Sequence, residues 1–340
     1  MKYVRLILIF IISYSSFSQT LKGKVIDENN QPLVGATVYF DGTTRGVITN
    51  VEGVFEIVPP ENVSKPTLVI TYLGYDAIFI TNIEDLKEVY QLQPMAESLD
   101  TVNIYKSAFS REEMMEVFKT YFLGDGRPAK KCEILNPDDV ILYYVVKENT
   151  LYAKSLNPII VQNDYLGYKV KFDLQTFKVK YSTESLNDDD LTESFYFGYS
   201  FFEDTNPKKS RVRNKIYFRS INYFFKSLVE DKLDLTNFYV GYDGDLKNPE
   251  TVFEVEPLSK NLYELSLERR AYENEMIDGE FAPTKIVLAY RYDISNILFL
   301  KPKIRINSFG NNLDVDNIRL IGELAEHRLA KILPNNFLPQ

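Results

Sequence analysis

One histidine, His327, and one cysteine, Cys132, occur among 340 residues. Those two counts limit the chemistry more than any motif does. A catalytic zinc held by two histidines and a glutamate cannot be assembled from a single imidazole. A serine hydrolase has little support, because no G-x-S-x-G elbow is present and His327 falls in an expected terminal helix, one turn after Glu323. His327 is therefore expected to be a surface or helix-packing residue. A reactive thiol needs a cationic neighbour to stabilise its thiolate. No residue near Cys132 is an obvious ion-pair partner for a thiolate, so it reads as a small buried hydrophobe. No phosphate loop, dinucleotide fingerprint or Cys/His zinc cluster occurs.

Oxygen-based chemistry is less constrained. Asp243, Asp245, Asn248 and Glu250 could supply calcium ligands. Their spacing misses the EF-hand pattern, and Gly244 and Pro249 make a solvated turn the simpler account. Two carboxylates would suffice for a glycosidase, but spacing along the chain does not give their separation. The densest positive run is Lys208, Lys209, Arg211, Arg213 and Lys215. It reads as a charged approach to a helix that balances Asp188 to Asp190, rather than as a glycan or phosphate site. The 24 tyrosines and 23 phenylalanines could form sugar platforms, although such residues also pair across sheets and tryptophan is absent. No catalytic, cofactor-binding or metal-ligating residue is assigned, and no cofactor is expected.

The elements that would position any site begin after a secretory signal, expected over residues 1–18. Lys2 and Arg5 precede an apolar run from Leu6 to Ile12, and Ser16 and Ser18 occupy the small positions before a cleavage that leaves Gln19 first. The run is too short to span a bilayer, no cysteine marks a lipoprotein route, and no second long apolar stretch follows. A soluble mature chain of 322 residues is expected, long enough for two domains. Losing Lys2 and Arg5 moves the net charge from −9 to −11, with 37 basic residues against 48 acidic. That balance offers nothing to nucleic acid or to an anionic membrane. With one cysteine no internal disulfide forms, and a chain of this size can do without one.

From 19 to 94 the pattern is short strands and turns. Leu21, Gly23 and Val25 alternate, then Ala36, Val38 and Phe40, then Phe55 and Ile57, then Leu68, Ile70 and Tyr72. Turn clusters lie at Asp27 to Pro32, Asp41-Gly42, Asn50 to Gly53 and Gly74. Strands so spaced predict a small β-sandwich. The stretch GKVIDENNQPLVGATVYFDGTTRGVITNVEGVFEI, with LVITYLGY after it, resembles the carboxypeptidase regulatory-like domain common in Bacteroidetes. Gly23, Val25, Asp27, Pro32, Leu33, Gly35, Ala36, Val38, Gly42, Thr43, Gly46, Thr49, Gly53, Phe55, Gly74 and Tyr75 carry the resemblance. Asn50 stands where that pattern usually has Asp. The resemblance implies a seven-stranded transthyretin-like sandwich. It is an appendage of carboxypeptidases, so it implies no peptidase activity, which the single histidine excludes in its zinc form. The same domain precedes the plugs of TonB-dependent transporters, and MAESLDTVNIY resembles the lead into such plugs. The remaining chain is too short, and too irregular in its strands, for that barrel.

Residues 95–109 read as a linker, and 110–340 as a larger, strand-rich α+β domain. Ser110 and Glu113 have capping-box spacing, and Met114, Val117, Phe118 and Tyr121 share one face of the helix they open, which stops at Gly124. Strands follow from about 140 to 205. In one of them Lys169, Lys171 and Asp173 alternate with Val170, Phe172 and Leu174, a wet face against a dry one. Tyr217, Ile221, Phe224, Phe225 and Leu228 then predict one amphipathic helix within 211–230, with Arg213, Arg219 and Lys226 facing elsewhere. More strands lead to a last short helix, Glu323 to Leu333, stopped by Pro334. FLGDGRPAKKCEILNPDDVILYY and the segments after it resemble a group of uncharacterised Bacteroidetes envelope proteins that carry the same first domain. That resemblance places Cys132 in a motif and brings no activity.

The expectation is a mainly β protein, exported to the periplasm or outer-membrane face. It would be a non-catalytic binding or scaffold component whose sandwich acts as adaptor and whose partner is an envelope protein or a glycan. A glycan-binding module and a carboxylate-dependent hydrolase are the alternatives.

Overall fold

The computed structural model describes residues 20–61, 63, 66–82, 85–95, 109–242, 245–247, 249–259, 261–268, 276–277 and 280–340. The expected signal over 1–18 and residues 96–108 of the expected linker lie outside them.

Seven strands form the first unit: β1 (Leu21–Ile26), β2 (Thr37–Phe40), β3 (Gly46–Ile48), β4 (Val54–Ile57), β5 (Leu68–Thr71), β6 (Ile78–Ile80) and β7 (Val89–Gln91). They make two facing sheets, β4-β1-β7 and β3-β2-β5-β6. The alternating residues point inward as the period of two requires, so Val25, Val38, Phe40, Phe55 and Ile70 meet in one core. The chain is mainly β, and this part is the expected sandwich.

A helix then opens the second unit. In α1 (Arg111–Leu123) the Ser110 hydroxyl accepts from the Glu113 backbone N–H, and the Glu113 carboxylate accepts from the Ser110 N–H at 2.7 Å. The capping box is formed as its spacing predicts. After a short turn of helix, α2 (Gly126–Ala129), come β8 (Cys132–Ile134), β9 (Val140–Val145), β10 (Thr150–Ser155), β11 (Ile159–Asn163), β12 (Tyr168–Tyr181) and β13 (Leu191–Asp204). The sheet order is β8-β11-β12-β10-β9, with β13 paired along β12 as a 14-residue hairpin arm. Helix α1 covers the dry face, where Phe118 meets Phe122 at 5.0 Å and Phe177 at 4.8 Å.

The amphipathic helix expected within 211–230 is two helices, α3 (Ser210–Tyr217) and α4 (Ile221–Val229). The break has a local cause. The Ser220 hydroxyl accepts from the Tyr223 N–H and starts a new helix after a tight turn. It also has a global cause, because the two halves serve different cores. Ile216 belongs to the core under α1, whereas Phe224 and Phe225 belong to another. That other core lies between two sheets. The first is β15-β14-β20-β21-β23, built from β14 (Phe238–Tyr242), β15 (Asp245–Lys247), β20 (Thr284–Tyr290), β21 (Asp293–Phe299) and β23 (Ile318–Gly322). The second is β16-β17-β22, from β16 (Phe253–Ser259), β17 (Leu262–Leu267) and β22 (Lys303–Asn307). A small hairpin, β18 (Met276–Ile277) with β19 (Glu280–Phe281), stands apart. The stretch expected as one α+β domain over 110–340 thus packs around two hydrophobic centres.

The expected last helix, Glu323 to Leu333, is also replaced. Two 3-10 turns, Glu323–Glu326 and Leu329–Lys331, stand there instead. Leu324 is buried in the third core and Leu329 in the second, so this segment crosses from one to the other and cannot keep a single helical face.

Candidate functional site

The feature that organises the molecule is the seam between the sandwich and β13. Asp41-Gly42, read as a hairpin signal, does turn the chain, and Gly42 takes φ +67°, which glycine adopts without strain. The turn also docks. The Gly42 N–H donates to the Ser200 carbonyl at 2.7 Å, and the Phe202 N–H donates to the Thr43 carbonyl at 3.0 Å. The Ser200 N–H donates to Asp41 Oδ1 at 2.7 Å, and the Asn335 N–H donates to the Gly42 carbonyl at 2.6 Å. Thr44 and the Asn336 amide exchange two further bonds, at 3.0 and 2.9 Å. Beside this ladder Tyr39, Val69 and Phe201 are buried together, and Phe79 stacks on Tyr199 at 4.2 Å. Gly46 lets the Phe201 ring approach so closely that a Cβ there would sit 2.5 Å from it. The wet face predicted for β12 is half-covered, because Lys171 and Asp173 pair across to Phe201 and Tyr199 on the side where the sandwich rests.

Burial at the seam pushes the Asp41 carboxyl up to about 6, against the opposing pull of the Ser200 and Gly42 N–H groups. Burial also raises Asp173, whose carboxylate accepts from Gln175 at 2.8 Å. Next to the seam a cleft of about 720 Å³ opens between the sandwich and the second unit. Tyr72, Tyr75 and Phe79 line it from one side, and Asp139, Lys171 and Asp173 from the other. Leu73, 73% exposed, stands at its edge.

The residues weighed from sequence are scattered. Cys132 is half-buried, its thiol pointed at the Pro128 carbonyl at 3.6 Å. Burial and then Asp164 push it up to about 12, so it stays protonated. His327 lies between Lys331, Glu323, Arg219 and Asp293, and burial, reinforced by Lys331, pushes it down to about 4. It is neutral at pH 7. Of the residues weighed as calcium ligands and read as a solvated turn, Asp243 and Asn248 lie outside the described residues, and Asp245 pairs with Lys247 at 3.3 Å.

The basic run splits. Lys208, Arg211 and Lys215 are exposed, as a charged approach to a helix should be, but Arg213 is buried at 5% exposure. The expectation that it faces outward is corrected by its partners. Its guanidinium grips Asp204 with two bonds, at 2.7 and 2.8 Å. It also donates to the carbonyls of Leu166, Gly167 and Asn206 and stacks 3.8 Å over the Tyr168 ring. The planar five-donor fork suits that arrangement, and Lys could not reproduce it. Its counter-charge is Asp204. Asp188, in the acidic turn expected to balance the run, instead accepts from the Tyr121 hydroxyl at 2.6 Å.

The strand order, the two facing sheets and the glycine-bearing turns of the first unit can now be set beside known proteins. Residues 21–104 are a CarboxypepD_reg-like domain. The match to this domain runs past the boundary of 94 expected from strand pattern. The domain supplies the Asp41–Thr43 turn of the seam and covers only part of the chain. No curated protein matches the chain. Among solved structures, a chain of the Coh3ScaB–XDoc_M2ScaA complex, a type II cohesin–X-dockerin interface mutant from Acetivibrio cellulolyticus, is 23% identical over 30% of this chain and 72% of its own. Its TM-score is 0.17, too slight a likeness to define a shared fold. No helix among the described residues is long and apolar enough to cross a membrane.

Proposed function

We propose that the chain is a non-catalytic binding or scaffold component of the bacterial cell envelope, at the periplasm or outer-membrane face, with the CarboxypepD_reg-like domain as a rigid adaptor. The observation that carries this is the seam. Main-chain bonds from Gly42 and Thr43 to Ser200, Phe202 and Asn335, with the Asp41 carboxylate accepting from the Ser200 N–H, fix the adaptor's orientation more firmly than side-chain contacts alone would. A domain clamped in this way presents its loops and the neighbouring cleft as one surface. Tyr72, Tyr75 and exposed Leu73 at that cleft are the kind of apolar anchors that protein partners bury. The molecule's single imidazole, His327, and single thiol, Cys132, are not among the residues that line the cleft. The test is cross-linked capture of the mature protein from native envelope, read by mass spectrometry. One envelope protein should be recovered at near-stoichiometric yield and lost in Leu73→Asp. Recovery of nothing above background sets the scaffold reading aside.

A further inference from the structure

Where the sandwich, α4 and the turn after β22 meet there is a second cavity, of about 510 Å³, within the range of small-molecule sites. Its polar wall is made of amides, from Asn222, Asn307, Asn311, Asn312 and Asn335, with Thr67 added by the sandwich. Phe225 and Leu320 are among its apolar residues. Some of these amides already have partners. Asn222 Nδ2 donates to Asn311 Oδ1 at 2.6 Å, and Asn312 Oδ1 accepts from the Asp314 N–H at 2.9 Å.

Asn307 is different. It is fully buried, and its Oδ1 accepts from the backbone N–H groups of Phe309 and Asn311 at 2.9 and 3.0 Å. Those two bonds fix which way the amide is turned. Its Nδ2 is left with no partner. A buried amide donor without an acceptor costs free energy, and Asn307 is among the residues that line the cavity.

The wall also says what could enter. Asp41 is the single ionisable residue among those described on it, and there is no lysine or arginine. A phosphate, sulfate or uronate would meet a carboxylate and no cation. Amides that both donate and accept, beside an apolar flank, match the hydroxyl edge and C–H face of a sugar ring. We propose that this cavity binds a neutral saccharide, with Asn307 Nδ2 donating to a sugar oxygen. A smaller cavity of about 200 Å³ shares Asn222, Asn311 and Asn335, but its own lining adds His327 and Lys331 beside Tyr217, Phe309 and Phe337, so the proposed site is confined to the larger cavity. This goes beyond the adaptor reading and does not depend on it.

Calorimetric titration of the mature protein tests it, with glucose, mannose and N-acetylglucosamine, each as free sugar and as a tetrasaccharide, and with glucuronate as the charged control. At least one neutral sugar binds saturably and glucuronate does not. Tighter binding of the tetrasaccharide marks a glycan chain as the source, and equal binding a free sugar. Asn307→Asp keeps the acceptor that the turn uses and removes the donor, and weakens binding about tenfold, the size of one lost hydrogen bond. Thr67→Val, on the opposite wall, carries the same test should Asn307→Asp fold poorly. Absence of saturable binding by every neutral sugar, or affinity unchanged in the folded variants, overturns the proposal. No protein partner enters this measurement, so its failure and that of the adaptor reading are distinguishable.

Discussion

His327 and Asp41 lie in different parts of the molecule and load its acid stability in opposite senses. The unfolded imidazole titrates near 6.5, and the folded one is pushed down to about 4 by burial. Between those values the unfolded state binds more protons, so the stability that His327 permits is full above pH 6.5 and is lost as pH falls toward 4. Asp41 is raised from 3.8 to about 6, so over that range the native state binds more protons and stability falls as pH rises. Each contribution is about 3 kcal/mol at full extent. His327→Asn should therefore gain on the wild type by about that much between pH 7 and pH 4, measured by urea midpoints at each pH. Asp41→Asn, which keeps the acceptor for Ser200, should gain in the other direction, from pH 4 to pH 7. A constant difference from wild type across the range would contradict both assignments. Neither shift was legible in the sequence, because each is caused by burial against residues distant along the chain. The count of one histidine was legible, and it still excludes two-histidine zinc chemistry.

Arg213 acts at the scale of elements. It holds the N-terminal part of α3 against the turn between β11 and β12 and against the end of β13, through Leu166, Gly167, Asn206 and Asp204. Arg213→Met keeps the stem but removes the guanidinium bonds to Asp204 and to the carbonyls of Leu166, Gly167 and Asn206. The expected loss is about 2 kcal/mol by denaturant unfolding, since a buried donor is lost while its partner Asp204 stays exposed to water. A loss within about 0.5 kcal/mol, the range of an ordinary surface change, would contradict the role given to it. Helical periodicity had placed Arg213 outside, because amphipathic patterning treats every cation as solvent-seeking. What it misses is a buried guanidinium with each of its three nitrogens hydrogen-bonded. The α1 capping box was legible because both halves of the signal lie within four residues. The break at Ser220 and the loss of the last helix were not, because they follow from two cores that take alternate segments of one stretch.

At the scale of the whole molecule, strand pattern correctly gave the sandwich but not what it rests on. The hydrophobic period identifies faces, and a wet face covered by another domain looks the same as one covered by water. The seam was written partly in glycines, at Gly42 and Gly46, whose value lies in what they let approach: Asn335 and Phe201. The central claim is that this seam holds the adaptor rigid. The most direct measurement is the distance distribution between spin labels at exposed Glu52 in the sandwich and Glu133 in β8, in a Cys132→Ser background. A single narrow distribution is predicted for the otherwise native chain, broadening in Gly46→Val, where a new side chain must displace the Phe201 ring. A broad distribution in the otherwise native chain, or one unchanged by Gly46→Val, would contradict it.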